Sequence, residues 1–145
     1  MIKTEGAYKK AIQRLDEDIE IIKEQTAHYE ALGLSNEQVD KALQPSIAFH
    51  EQLKEEIAYY ERIRKGDFEP IMNFTNLGKS LIAYRIYLGI SQKELAKRLE
   101  VTEAQISRDE RNEYYGATLE RIQSVMRALG MQAKTEIQKI NTKMA

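Results

Sequence analysis

Side chains that could carry out a reaction are few in this chain, and their spacing argues against one. Among its 145 residues there is no Cys. A thiolate nucleophile, a disulfide framework and a zinc–thiolate site are therefore all excluded. The two histidines, His28 and His50, have no second His or Cys at metal-ligand spacing, so ordinary packing is expected of them. The acidic run Asp16 to Glu20 contains carboxylate pairs of the kind used in general acid–base work. Alternating with isoleucine, however, it reads as the solvated side of a helix. Gly78, Lys79 and Ser80 form the end of a phosphate-loop pattern, but its first glycine would fall at Asn73 and no strand precedes it. Tyr59 with Tyr60 and Tyr114 with Tyr115 are pairs that could stack on bases, but core packing is expected of the first, and Tyr114 or Tyr115 is expected to pack under a loop or meet a phosphate. No catalytic residue, metal or cofactor is expected, and the chain is read as not an enzyme.

What remains is recognition, and the rest of the sequence must position it. The 22 basic and 23 acidic residues leave a formal charge of −1, so no global field draws the protein to nucleic acid or lipid. The charge is nevertheless divided. Residues 1–76 hold 10 Lys and Arg against 15 Asp and Glu, a balance of −5, whereas residues 77–145 hold 12 against 8, a balance of +4. No apolar run approaches the ~18 residues of a membrane span, and a soluble, cytoplasmic protein with no membrane partner is expected. Two prolines and seven glycines interrupt a sequence rich in helix formers, which predicts an all-α fold.

In the first half Tyr8, Ile12, Leu15, Ile19, Ile22, Thr26 and Tyr29 recur at helical spacing up to Gly33. A second start follows at Ser35, with Gln38 as its capping-box partner. Pro45 either kinks this segment or opens a fresh helix. Ile47, His50, Leu53, Ile57 and Tyr60 continue the stripe to Gly66. Two long helices joined by a bend around residues 33–45 predict an antiparallel hairpin over 1–66. Such a unit buries little surface, so it is expected to pair with a second copy, a partner protein or the following domain. Residues 67–76 are the linker.

From residue 77 four short helices are expected, each with its own punctuation: LGKSLIAYRIYLG, SQKELAKRL from Ser91, TEAQISRDERNEYY from Thr102, and TLERIQSVMRALG from Thr118 to Gly130. Glu94 and Gln105 are placed to answer Ser91 and Thr102 as capping-box partners. Only Glu100 and Val101 separate the second and third helices. That spacing is the helix-turn-helix, with Leu95, Ala96, Leu99, Val101 and Ile106 filling the angle.

Residues 77–130 resemble the Cro/C1-type helix-turn-helix family, also called the xenobiotic-response-element family. The resemblance rests on ISQKELAKRLEVTEAQISRDERN, on Arg85 and Gly89 upstream and on LERIQSVMRALG downstream. It implies a lambda-repressor-like domain over 77–131 and double-stranded DNA as partner. Gln92 matches the family's phosphate-gripping glutamine. Thr102, Glu103, Ala104, Ser107 and Arg108 match its base-facing positions, with Arg108 suited to guanine O6 and N7. Lys93 and Arg111 join the DNA-binding set, and Arg85 with Glu110 matches a structural ion pair. Lys79, Lys97, Arg98, Arg121, Lys134, Lys139 and Lys143 are candidates for the phosphate rim.

The sequence departs from the family at three places. Glu100 stands where glycine is common in the turn, which predicts a slightly altered turn. Asp109 replaces an apolar residue and is expected to be exposed or to bond back to the chain. Arg111 and Asn112 replace the usual glycine. The tail, residues 132–145, alternates like a short strand, though a helix fits nearly as well; a strand would pair with its copy in a dimer. The expected function is a sequence-specific transcriptional regulator, a dimeric repressor. Its order of hairpin then DNA-binding domain is similar to some antitoxins of toxin–antitoxin pairs, with the toxin or another protein on the hairpin. The alternative is an interaction scaffold that keeps the fold but does not bind DNA.

Overall fold

The computed structural model describes residues 1–140, which form six helices and no strand. They are α1 (Glu5–Ala31), α2 (Asn36–Arg64), α3 (Leu77–Tyr87), α4 (Gln92–Arg98), α5 (Glu103–Arg111) and α6 (Leu119–Leu129). None of these is long and apolar enough to cross a membrane. The expected cap residues begin their helices. Ser35, Ser91, Thr102 and Thr118 each accept a hydrogen bond from the backbone N–H three residues on, satisfying one of the donors a helix start leaves free. Only Ser35 has the reciprocal bond, accepted by the Gln38 side chain from the Ser35 N–H. Glu94 turns instead to Arg98, and Gln105 donates to Asp109.

The bend between the long helices is shorter than the sequence suggested. It occupies Leu32 to Ser35, and Pro45 lies within α2 rather than at a break. The ladder loses one N–H there. Packing on both sides of the proline, through Leu43 and the half-buried Ile47, keeps α2 against α1. Early α1 meets late α2: the Tyr8 ring stacks on Tyr60 at 4.8 Å and its hydroxyl donates to Glu61 at 2.7 Å. Later α1 meets earlier α2, with Ser46 donating to Gln25 at 3.0 Å.

The expected stripe of α1 holds at Tyr8, Leu15, Ile22, Thr26 and Tyr29, all half-buried, and differs at two places. Ile12 and Ile19 stay exposed while Ala11 and Asp18 are buried. Small Ala11 permits close approach of the helices, and the spacing alone could not distinguish its row from the neighbouring one. The acidic run is thus not wholly solvated, because Asp18 faces inward.

One apolar cluster runs from the arm, as we call the pair α1 and α2 with the residues before them, into the second half. Ile57, Tyr60 and Ile63 of α2 join Leu81, Ile82 and Ile86 of α3, Leu95 of α4, Ile106 of α5 and Val125 and Leu129 of α6, and Ile2 is buried among them. Across the linker, Phe68 packs on Tyr84 and Tyr87 at 5.9 and 5.4 Å. The tail does not fulfil the strand expectation. Residues 132–140 are irregular and exposed, since alternation forms a strand only where a neighbouring strand accepts its hydrogen bonds. The rest of the tail, residues 141–145 with Lys143, lies outside the described residues.

Candidate nucleic-acid interface

The geometry of the site follows from how α4 stops and α5 starts. Leu99 closes α4, the Glu100 N–H donates to Lys97 O and the Val101 N–H to Ala96 O. Glu100 sits at φ +56°, so the turn keeps the left-handed conformation despite its side chain, contrary to the altered turn the sequence suggested. The strain costs ~1 kcal/mol. Buried Leu95, Ala96 and Ile106 fill the corner, where a larger residue than Ala96 would push the helices apart.

Beneath the corner lies a buried polar node. Arg85 and Glu110 are 2% and 0% exposed. Arg85 Nε and Nη2 donate to the two Glu110 oxygens, the latter at 2.8 Å. Its remaining donors reach Ile90 O and Lys3 O, each at 2.8 Å. Gln92 Nε2 donates to Glu110 Oε2 at 2.7 Å. A bidentate guanidinium–carboxylate pair with its outer groups satisfied withstands burial. The node fixes α5 against α3, the start of α4 and the amino-terminal segment. The family resemblance supplied the pair itself. The Lys3 carbonyl and the grip of Gln92 on Glu110 were not legible, because both depend on tertiary placement.

A second tie is Asp109, which accepts from Gln105 Nε2 and from Arg121 Nη2, both at 2.8 Å. It bonds back to the chain, and Arg121 is thereby drawn from the expected phosphate rim into a half-buried contact with α5. Arg98 is similarly shared between Glu94 and Ala128 O.

With α5 held from behind, its other face is open. Thr102, Glu103, Ala104, Arg108 and Arg111 are exposed, Ser107 is half-buried, and Lys93 projects from α4. Gln92 is half-buried and engaged with Glu110. Among the described residues neither Arg108 nor Arg111 makes an ion pair, in contrast to Arg85, Arg98 and Arg121. The arm does not cover this face. Its base borders it, across a cleft lined by Lys3, Glu5, Arg64, Ser91, Gln92 and Glu103.

The turn after α5 is tightly built. Glu113 and Tyr114 both lie in the left-handed region, at φ +51° and +58°. A Cβ on Gly78 would fall 1.8 Å from Glu113 O, so this glycine lets the start of α3 pack against that turn. Close packing thus explains the glycine that suggested a phosphate loop. Tyr114 packs beneath the turn, buried with its hydroxyl unpartnered. Burial, helped by Glu110 and Asp109, pushes its phenol pKa well above the ordinary value. Tyr115 projects outward, 76% exposed.

Charge along the arm is graded. Its base, residues 1–10 with 57–66, carries 6 Lys and Arg against 2 Glu, a balance of +4, whereas residues 11–56 carry 4 basic against 11 acidic residues, a balance of −7. The positive part adjoins the open face of α5.

A helix-turn-helix family model of Cro/C1 type matches residues 81–133, just over a third of the chain. The match suggests a DNA-binding regulator with double-stranded DNA as its partner. No curated protein and no solved structure matches the chain.

Proposed function

We propose that this protein is a sequence-specific transcriptional repressor that works as a dimer in the cytoplasm, by recognition and without catalysis. Helix α5 enters the major groove. Arg108 reads a guanine, Glu103 a cytosine amino group and Ala104 a thymine methyl, while Thr102 and Ser107 serve as adaptable hydroxyls. Lys93, Arg111 and Lys97 approach phosphates. Gln92, already donating to Glu110, adds to this set through the rest of its amide. The two long helices form a hairpin that receives a protein partner, as a toxin-binding arm would. Because residues 77–133 have a balance of only +2, a dimer on two half-sites supplies the phosphate contacts one copy lacks.

The observation that carries this proposal is Arg108, without an ion pair among the described residues, on the open face of a helix whose opposite face is locked by Arg85 and Glu110. A rigid helix presenting free donors loses little on docking. The test is an electrophoretic titration of the full chain against pooled genomic fragments at two salt concentrations. Selected fragments should emerge, with log K falling linearly with log salt. A scaffold without DNA affinity, which the small domain charge favours, predicts no selection and no salt slope.

A further inference from the structure

We propose that the distal part of the arm is the docking site for a basic protein segment, which sets a Lys or Arg side chain against Asp18. This rests on the reading above that the arm receives a partner, and it names what that partner must bring. Three observations on different levels converge at one place.

The first is a buried, half-satisfied carboxylate. The Asp18 side chain is 9% exposed, and its Oδ1 accepts from Arg14 Nε at 2.8 Å. Its Oδ2 is buried without a partner among the described residues. A buried acceptor without a donor is unfavourable, and a cationic donor removes that cost more completely than a neutral one.

The second is the shape around it. Asp18 lines a cleft of about 330 Å³ between α1 and α2, walled by Arg14, Ile21, Gln25, Pro45 and Phe49. Ile21 and Phe49 are 42% and 51% exposed. They leave apolar area beside the acid for the methylene stem of a long basic side chain and its aliphatic neighbours. Arg14 already shows this mode within the chain, since its guanidinium lies over the Phe49 ring at 5.5 Å while it binds Asp18.

The third is the field. Residues 11–56 carry a balance of −7, which steers a basic partner toward the cleft and opposes a second copy presenting the same surface. It repels nucleic acid equally, so the two ends of the arm favour opposite partners.

The test uses the full chain and a labelled helical peptide of about 15 residues, with one Arg flanked by Leu four residues to either side, and a control in which the Arg is norleucine. Fluorescence anisotropy should show the Arg peptide binding and the control binding more weakly. Asp18→Asn should weaken the Arg peptide by about tenfold or more, and Phe49→Ala should weaken it as well. Asp16→Asn removes the same charge from an exposed site on the same helix, and should change affinity by less than about twofold. Equal losses from Asp16→Asn and Asp18→Asn would reduce the effect to diffuse charge and overturn the site. So would absence of peptide binding, or a wild-type dimer in sedimentation that Asp18→Asn converts to monomer, which would make a second copy the occupant. DNA titrations on the same variants keep the two ideas apart. Asp18→Asn should leave DNA affinity unchanged, and if no variant binds DNA the repressor proposal fails while the peptide result stands.

Discussion

Two buried carboxylates separate the regions of this molecule. Glu110, under the corner of the helix-turn-helix, receives donors on both oxygens from Arg85 and Gln92. Asp18, between the long helices, receives one and leaves its other oxygen bare. A fully satisfied buried acid holds an arrangement in place, because any movement costs several charge-assisted bonds at once. A half-satisfied one holds little and retains affinity for a further donor. The same contrast recurs in the apolar surface. The corner residues Leu95 and Ile106 are fully buried, whereas Ile12, Ile19, Ile21 and Phe49 of the arm remain exposed. One region is finished by its own sequence and presents a rigid face. The other is closed on one side only.

If that contrast is right, the largest penalty belongs to the satisfied node. Glu110→Gln keeps the shape but leaves the Arg85 guanidinium buried opposite a neutral amide, and should cost about 3 to 5 kcal/mol in urea unfolding. Asp18→Asn, measured alongside, should cost less than about 1 kcal/mol, the value of its single i,i+4 pair with an exposed Arg14. Equal penalties would erase the distinction between the two acids. Gly78→Ala comes next. Its Cβ would meet a backbone carbonyl that cannot rotate away, so the α5–α6 turn must shift, at about 3 kcal/mol, the upper end of ordinary overpacking.

Arg108→Ala sharpens the comparison from the functional side. It should leave the urea midpoint within about 0.5 kcal/mol of wild type, as an exposed substitution does. It should weaken binding by about 1 to 3 kcal/mol at one operator position. A uniform loss over unrelated sequences would make Arg108 a phosphate contact instead.

Tyr114→Phe tests a flaw within the finished region. Its buried hydroxyl lacks a partner, so removing it should be neutral or stabilising by about 1 kcal/mol. The pH dependence has a definite sign. The unfolded chain releases the phenolic proton near pH 10, whereas the folded chain retains it to higher pH. This group's contribution is therefore complete below pH 10 and declines above it. Circular dichroism melts of Tyr114→Phe should lose part of the alkaline decline, and an unchanged decline would assign it to other groups.

How much of this could be read from the sequence differed between the regions for the same physical reason. In the helix-turn-helix, local signals agree with tertiary placement. Ser91, Thr102 and Thr118 cap where their side chains allow, Ala96 occupies the corner, and Arg85 meets Glu110. In the arm the helical spacing placed Tyr8, Leu15 and Ile22 on the inner side of α1 but not the residues that complete that side. Rows through Ile12 and Ile19 or through Ala11 and Asp18 differ by one helical position, and only the approach of α2 selects between them. Of the two readings open at Pro45, the fresh helix fails, because local propensity yields when packing on either side favours one helix. The Lys3 carbonyl at the Arg85 guanidinium and the Gly78 contact with Glu113 had no sequence signal, since each sets a backbone carbonyl against a residue remote in the chain.

The smallest effect tests the open side of the arm. Ile19 is 42% exposed, and Ile19→Ser should change stability by less than about 0.5 kcal/mol if that surface is free in the isolated chain. Ile57→Ala, on the buried row of α2, should cost about 2 to 5 kcal/mol. The ratio matters more than either value, because both are aliphatic residues of one two-helix unit and differ only in which way they face. If Ile19→Ser proves as damaging as Ile57→Ala, another surface covers Ile19 in solution. The arm would then be as complete as the helix-turn-helix, and the exposed row would belong to an assembly already formed. A small cost for Ile19→Ser beside a large one for Ile57→Ala keeps the two regions distinct.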